Sequence, residues 1–297
     1  MFVAIATVVG IWSFARSDPG PAIEYWKGRA SLLPLLVLCA CADVAFEGVS
    51  WYWTYRRLGV RARPFGSLGT FLAGRAGLLL PAQLGRLIRP DAMFRLGYAP
   101  LRDCMKAEAV TFVLDVIALG ALACGLVAVR IAPALGPVAS AASIAVAFLL
   151  ANGIARTLAK TSFALPASFW WSWRTWATVL MQMGGWTAHG VGLWLMIHGL
   201  TSSVTLVDTV LFTSISSALG ASSGLPGGIG ATEGLLGLSL TIMKIPPEHL
   251  AIAIGSFRLI TFWAWIPIGW IALGAINAHV ARHRPAADPQ ALAPEAR

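Results

Sequence analysis

Long apolar runs, each closed by charged residues or proline, dominate the hydropathy pattern of this chain. Six of them cover residues 1–15, 32–55, 107–129, 132–153, 175–199 and 249–276. A helix needs about 20 residues to cross the roughly 30 Å of hydrocarbon in a bilayer. The pattern therefore predicts about six transmembrane helices, the first of them short.

Two further apolar segments, 66–84 and 206–243, are broken in the middle by glycine and proline. Irregular backbone is not tolerated against lipid, so such breaks must be covered by other helices or line a cavity. We interpret both segments as re-entrant helical hairpins.

The two breaks share a spacing of residues. Leu80, Pro81, Leu84 and Gly85 recur as Leu225, Pro226, Ile229 and Gly230. Each half of the chain, about 1–130 and 131–278, then contains two spans, a hairpin and a third span, which is the plan of inverted-repeat transporters. The predicted fold is an all-α, polytopic helical membrane protein with about six spans and two re-entrant hairpins arranged as an inverted repeat. It fills residues 1–278, and the Ala/Pro-rich segment 279–297 is expected to be a disordered cytoplasmic tail.

Composition agrees with this class: 57% of the residues are hydrophobic and 12% are charged, whereas a soluble domain has roughly 25% charged residues. The net charge of +9 does not indicate nucleic acid, because Lys and Arg in a membrane protein first fix the topology and contact anionic lipid. Most of the 22 Lys and Arg residues fall on one side if the N-terminus is cytoplasmic. We therefore expect a multi-pass protein with both termini in the cytoplasm.

Charged residues within the apolar segments are costly and usually pair or face a polar cavity. This set comprises Asp43, Glu47, Arg75, Glu108, Asp115, Glu233 and Arg258. A structural salt-bridge network explains such a set as well as a substrate site does. Arg75 and Arg258 stand out because a guanidinium matches phosphate geometry and stays charged in apolar surroundings. A pair between Arg258 and Glu233 would hold this arginine until an anionic headgroup arrives.

The breaks themselves favour anions. Their glycines permit positive φ and close backbone approach, and a helix that starts after a break points its N–H groups into the cavity. Arg86, beside Arg89, is interpreted as an ordinary headgroup contact at the cytoplasmic surface. His189 and His198 have no partners at metal-ligand spacing and are interpreted as core histidines. No nucleotide-binding or nucleophile motif is present, so we expect neither an enzyme nor a bound cofactor or metal.

Four stretches, "LPAQLGRLIRP", "LDVIALG", "GLPGGIGATEG" and "SFRLITFW", occur in the order and spacing of the lysylphosphatidylglycerol synthase/flippase transmembrane-domain family. The chain resembles this family over nearly its whole length. Residues 225–233, followed by Arg258, carry the most specific match, and Pro81, Gly85, Arg89 and Asp115 match the first half. The chain departs from the family at Arg86, where a glutamate is usual, and at Phe112, near which members usually have an arginine.

The resemblance implies a lipid translocase, a flippase or scramblase-like protein, of the bacterial inner membrane. Its cargo would be a membrane lipid with an anionic or aminoacylated headgroup, and the soluble aminoacyl-transferase domain of some members is not in this sequence. A hopanoid or polyprenyl-lipid transporter, a small-solute secondary transporter and a non-transporting scaffold for lipid-modifying enzymes stay open. So do a homo-oligomer and a lipid-modifying enzyme as partners.

In this interpretation Arg75, Arg89 and Arg258 bind phosphate, while Glu233 and Asp115 gate, pair with the arginines or contact a cationic group. The full set of predicted substrate-binding residues is Arg75, Pro81, Gly85, Arg89, Asp115, Pro226, Gly227, Gly228, Gly230, Glu233 and Arg258.

Overall fold

A computed structural model describes residues 20–157, 165–198, 200 and 204–283, and this part of the chain is helical without strands. Its α-helices are α1 (Gly20–Lys27), α2 (Leu33–Arg57), α3 (Pro64–Ala73), α4 (Ile88–Arg95), α5 (Leu101–Val129), α6 (Leu135–Thr157), α7 (Ala167–Trp171), α8 (Trp173–Ile197), α9 (Leu206–Ser222), α10 (Ala231–Ile242), α11 (Pro247–Arg258) and α12 (Trp265–His283). The predicted first span, 1–15, lies outside the described residues.

Four helical stretches of the described chain are long and apolar enough to cross a membrane. They are Ala30–Arg57, which contains α2, then α5, α6 and His249–His283, which joins α11 to α12. These four stretches correspond to four of the predicted spans. Large apolar side chains such as Leu38, Leu149 and Ile271 are exposed on them, as expected for faces that contact lipid rather than water. The protein is therefore an integral membrane protein.

Helix α8 coincides with another predicted span but is not among those four stretches. Its 25 residues are enough to cross a bilayer at 1.5 Å per residue, yet its sequence includes polar residues such as Gln182 and His189. The helix packs against α2, α5, α9 and α11. Because neighbouring helices surround α8, it needs less apolar surface than a helix that faces lipid.

Helices α8 and α2 approach closely at Gly185, where an added Cβ would lie 3.2 Å from Asp43 Oδ1. On another face of α8, a Cβ at Gly190 would lie 2.4 Å from Val210 Cα of α9. Small residues that let helix backbones approach are the usual means of packing helices in membranes. They fix α8 between α2 and α9.

Both predicted breaks interrupt helices. In the first, α3 continues as a 3₁₀ turn, Gly74–Gly77, and the chain restarts as a 3₁₀ helix at Pro81–Leu87 before α4. In the second, α9 ends at Ser222 and a 3₁₀ turn, Pro226–Gly228, precedes α10. Each proline opens its 3₁₀ segment, and the leucine before it is extended, at φ −76° and ψ 140° for Leu80 and φ −73° and ψ 146° for Leu225. The repeated Leu-Pro therefore produces the same local backbone twice.

The two breaks lie against each other. A Cβ at Gly227 would lie 3.1 Å from the carbonyl oxygen of Leu78. Helix α12 covers the first break from another side, since a Cβ at Gly269 would lie 2.2 Å from the backbone nitrogen of Ala76. The turn Gly74–Gly77 of the first break is thus enclosed by protein, as expected from the cost of exposing irregular backbone to lipid, whereas Leu80 and Leu84 are exposed.

Helix α12 is joined to α11 by a π turn, Leu259–Trp263, in which Ala264 N–H donates to Leu259 O at 2.9 Å. The π turn follows directly after Arg258, and such turns are frequent at functional sites. At its other end α12 continues to His283. The prediction of a disordered tail from residue 279 is therefore wrong for 279–283, which extend the last apolar helix, and residues 284–297 lie outside the described chain.

Candidate functional site

A cavity of about 200 Å³ lies where the two breaks meet α2, α5, α8, α9 and α11. Its wall carries both charges and apolar groups, and its titratable residues are Asp43, Glu47, Arg75, Arg86, Asp115, His189 and Arg258. Six of the predicted binding residues line it: Arg75, Gly85, Asp115, Gly227, Gly228 and Arg258. The sequence-derived residues from both halves of the chain thus come together at one site.

Helix α2 presents Asp43 and Glu47 to this cavity, one helical turn apart. The prediction that these two carboxylates share a helix face is confirmed. Glu47 accepts a hydrogen bond from Arg75 Nη2 at 2.6 Å and another from Arg89 Nη2 at 2.8 Å. One carboxylate of α2 therefore holds Arg75 of the first break and Arg89 of α4.

Arg89 lies behind Glu47 rather than on the cavity wall, and it is only 4% exposed. Its Nη1 atom is 3.5 Å from Glu108 Oε1, and its guanidinium lies 4.5 Å from the centre of the Phe71 ring. The structure gives Arg89 a supporting position, in contrast to the direct phosphate contact expected from the sequence. It orients Glu47 and balances the buried charge of Glu108.

Glu108 is itself 4% exposed and accepts hydrogen bonds from Trp51 Nε1 at 2.9 Å and Tyr55 OH at 2.8 Å. These neutral donors come from α2, whereas Glu108 lies on α5. The carboxylate therefore ties α2, α4 and α5 together beneath the cavity.

Glu108→Gln is expected to destabilise the protein by about 3 kcal/mol, because the amide still accepts from Trp51 and Tyr55 but leaves Arg89 with excess buried positive charge. Unfolding in detergent by SDS titration measures this change. Asp103→Asn, at an exposed position in the first turn of the same helix, is the matched control and should lower the free energy of unfolding by less than about 1 kcal/mol. Equal stability of the two variants would contradict the proposed support role of Glu108.

Arg86 lines the cavity, and its Nη2 atom donates to Asp115 Oδ2 at 2.6 Å. The interpretation of Arg86 as an ordinary headgroup contact is therefore wrong. Its guanidinium also lies 5.0 Å from the centre of the Phe112 ring. The two departures from the family pattern, Arg86 and Phe112, are thus in contact: the arginine gains an aromatic face and takes Asp115 as its ionic partner.

The second break is closed by the predicted pair between Arg258 and Glu233, which the structure confirms at 2.6 Å between Nε and Oε1. Arg258 also donates to Gly227 O at 3.2 Å and lies 4.1 Å from the centre of the Phe262 ring. Glu233 Oε2 accepts from the backbone N–H of Gly230 at 2.7 Å. This N–H at the start of α10 points to the glutamate, so a ligand would have to displace that carboxylate to reach it.

Glycines shape the breaks in two ways. Gly227, Gly228 and Gly230 have φ of 61°, 66° and 86°, as predicted, and L-residues with a side chain rarely adopt this region. Gly85 serves close approach instead, because an added Cβ would lie 2.0 Å from Gly77 O. Pro81 and Pro226 start the 3₁₀ segments outside the cavity lining.

Two residues of α8 on the wall, His189 and Gln182, were not among the predicted binding residues. His189 Nδ1 lies 3.2 Å from Asp43 Oδ2, so it faces the cavity instead of being only a core residue. Gln182 is 3% exposed, and neither of its amide atoms has a hydrogen-bond partner among the described residues. They are seven positions apart, two turns of helix, and this polar spacing within an apolar helix was the signal that could have revealed them. The described residues contain no cluster of three or more His, Cys, Asp or Glu that could hold a metal.

Comparison with known proteins identifies a family for this chain. No curated protein matches the chain. The family model of the lysylphosphatidylglycerol synthase TM region matches residues 2–269, which include both breaks and every residue of the cavity wall named above. This family suggests a membrane protein of lipid metabolism or transport. The chain belongs to the lysylphosphatidylglycerol synthase TM-region family.

Proposed function

We propose that this protein is a lipid translocase, flippase or scramblase-like, that moves a lipid with an anionic or aminoacylated headgroup across the bacterial inner membrane. The observation that carries the proposal is the cavity between the two breaks, where three arginines each have a carboxylate partner. Three guanidiniums around one small polar space suit a phosphate, and the exposed apolar helix faces suit the acyl chains.

The carboxylates explain how such a cavity is stable without cargo. A buried arginine without a partner is costly, whereas an ion pair compensates much of that cost. An arriving phosphate takes over part of the partnership from Glu47, Asp115 or Glu233. The exchange keeps each arginine paired throughout, which favours rapid binding and release.

The re-entrant hairpins and the inverted repeat are part of this proposal. The equivalent backbone at Leu80-Pro81 and Leu225-Pro226, together with the contact between the two breaks, supports them. In inverted-repeat transporters the interrupted helices meet near the midplane of the bilayer, and rocking of the two halves opens the site to alternate sides. Residues 1–278 would form this transmembrane unit, with both termini in the cytoplasm.

The size of the cavity favours one alternative, a secondary transporter of a small anionic solute. About 200 Å³ accommodates a headgroup or a small phosphate compound but not a whole phospholipid. For a lipid, the chains would have to remain outside in the hydrocarbon. Both functions therefore require the cavity to bind a phosphate group. They differ in whether the cavity has a lateral opening through which acyl chains can extend into the bilayer.

Reconstitution separates these possibilities. Liposomes with purified protein should move fluorescent phosphatidylglycerol, aminoacylated phosphatidylglycerol or a polyprenyl phosphate between leaflets faster than empty liposomes, and the recovered lipid should be chemically unchanged. Uptake of radiolabelled glycerol phosphate tests the small-solute function in the same vesicles. Lipid movement at the rate of empty liposomes across the whole panel would overturn the translocase proposal, and glycerol phosphate uptake would replace it.

A further inference from the structure

One ion pair on the cavity wall differs from the others. Among the lining residues that the structure describes, Glu47 and Asp115 are held by arginines, whereas Asp43 has His189 as its ionic partner. Arginine remains protonated at any physiological pH, but the charge of histidine changes between about pH 5 and 8. The Asp43–His189 pair is therefore the element of the wall whose charge can change with one proton.

The pair is well placed for this role. Asp43 lies on α2 and His189 on α8, at the point where Gly185 lets these helices approach closely. Both side chains line the cavity and are largely buried, with 23% and 11% of their surface exposed. The imidazole also packs edge-on against Phe257, with ring centres 4.9 Å apart. Packing fixes the ring, while the cavity provides access for a proton.

The other charged residues in and directly behind the cavity wall sum to zero without the Asp43–His189 pair. The other charged groups on the wall come from α2, the first break, α5 and α11, and α9 contributes Ser217 but no charged group. Their ion-pair partners Arg89, Glu108 and Glu233 lie outside the wall. Counted with these partners, four arginines meet four carboxylates: Arg75, Arg86 and Arg89 with Glu47, Glu108 and Asp115, and Arg258 with Glu233. With neutral imidazole the three arginines on the wall are balanced by Asp43, Glu47 and Asp115, and with imidazolium the wall carries one positive charge.

We infer that the Asp43–His189 pair is a proton-binding site whose occupancy is coupled to binding of an anionic headgroup, so that this protein moves lipid together with a proton. Proton uptake by His189 adds one positive charge to the cavity wall, and this charge attracts an entering anion. Binding linkage is reciprocal, so the anionic headgroup must in turn favour the proton. The proton taken up on one side forms the imidazolium beside the Asp43 carboxylate, and it leaves on the other side when the headgroup is released.

This inference rests on the proposed function for the transport step but predicts a binding result that does not need transport. Purified protein in weakly buffered detergent receives dioleoyl phosphatidylglycerol, whose phosphodiester stays ionised, and a pH dye records proton uptake. We expect about one proton per bound lipid near neutral pH and about tenfold weaker lipid binding at pH 8 than at pH 5.5. His189→Gln should lose both effects and remain folded, whereas His198→Gln, near the end of the same helix where it stacks on Trp194, should retain both.

Proteoliposomes then test co-transport. A pH gradient should speed movement of phosphatidylglycerol from the acidic to the alkaline leaflet by about tenfold in the wild type and leave Asp43→Asn unaffected. Binding of phosphatidylglycerol by the wild type without proton uptake would overturn the inference even if no variant folds. Translocation that ignores the gradient would overturn the coupling and leave the translocase standing. Proton uptake without any translocation would instead remove the proposed function and retain the proton site.

Discussion

Arg258→Ala is expected to reduce lipid translocation at least about 30-fold, because truncating one partner of a buried charge pair costs about 2 kcal/mol or more. Arg258 is 6% exposed and holds both the Glu233 carboxylate and the carbonyl of Gly227. The alanine would remove one of the three cationic groups on the wall. It would also leave Glu233 as an uncompensated negative charge beside the cavity. Leaflet exchange of fluorescent phosphatidylglycerol in proteoliposomes measures the result.

Two further variants separate these causes. If repulsion by Glu233 dominates, the double variant Arg258→Ala with Glu233→Gln should recover much of the rate that the single variant loses. Arg258→Lys should retain charge but only part of the activity, because a lysine lacks the planar fork that bonds Glu233 and Gly227 together. Arg95→Ala, an exposed arginine that bonds Asn277, is the control. Wild-type translocation by Arg258→Ala would remove this residue from the headgroup site.

Gly85→Ala is expected to cost about 3 kcal/mol of stability or to prevent accumulation of folded protein, at the upper end of overpacking effects. A Cβ at this position would lie 2.0 Å from Gly77 O and 2.4 Å from Gly77 C. Both atoms are backbone, so no side-chain rotation relieves the clash, and the first break must open. Because the break carries Arg75 and Arg86, folded protein that survives should also translocate lipid poorly.

A neighbouring glycine provides the matched control for this substitution. Gly69 lies within α3, and a Cβ there meets nothing within 4 Å. Gly69→Ala should therefore leave the protein as stable as the wild type or about 0.5–1 kcal/mol more stable, since alanine loses less entropy than glycine in a helix. Monodispersity in detergent and SDS titration compare the two variants. Equal stability of Gly85→Ala and the wild type would show that the two glycines need not touch.

Local sequence patterns predicted much of this site because proline fixes φ and glycine permits a positive φ. The starts at Pro81 and Pro226 and the positive φ of Gly227 follow from such constraints. The direction of Arg86 did not follow, because the 3₁₀ segment Pro81–Leu87 contains Gln83 at a positive φ of 62°. This left-handed residue turns the chain, so the side chains after it leave the faces that an amphipathic α-helix would give them.

Pairings between distant parts of the chain were the other features that the sequence left open. Arg89 is buried because Glu47 and Glu108, from two other helices, come to it. His189 meets Asp43 only because α8 and α2 pack closely. No periodicity within one segment contains this information, and a charged residue in an apolar run only predicts that some partner exists.

The cover over the first break has a consequence for how the protein is made. Gly74–Gly77 is enclosed partly by α12, at Gly269, and its neighbour Leu78 by Gly227. Before the second half of the chain has been synthesised, neither Gly227 nor Gly269 is present to pack against this early segment. In hydrocarbon, its irregular backbone would then have polar groups without hydrogen-bond partners. The early segment must therefore stay in water or beside the insertion machinery until these contacts can form. Stable integration of the N-terminal half is then a late event, which requires the last helix.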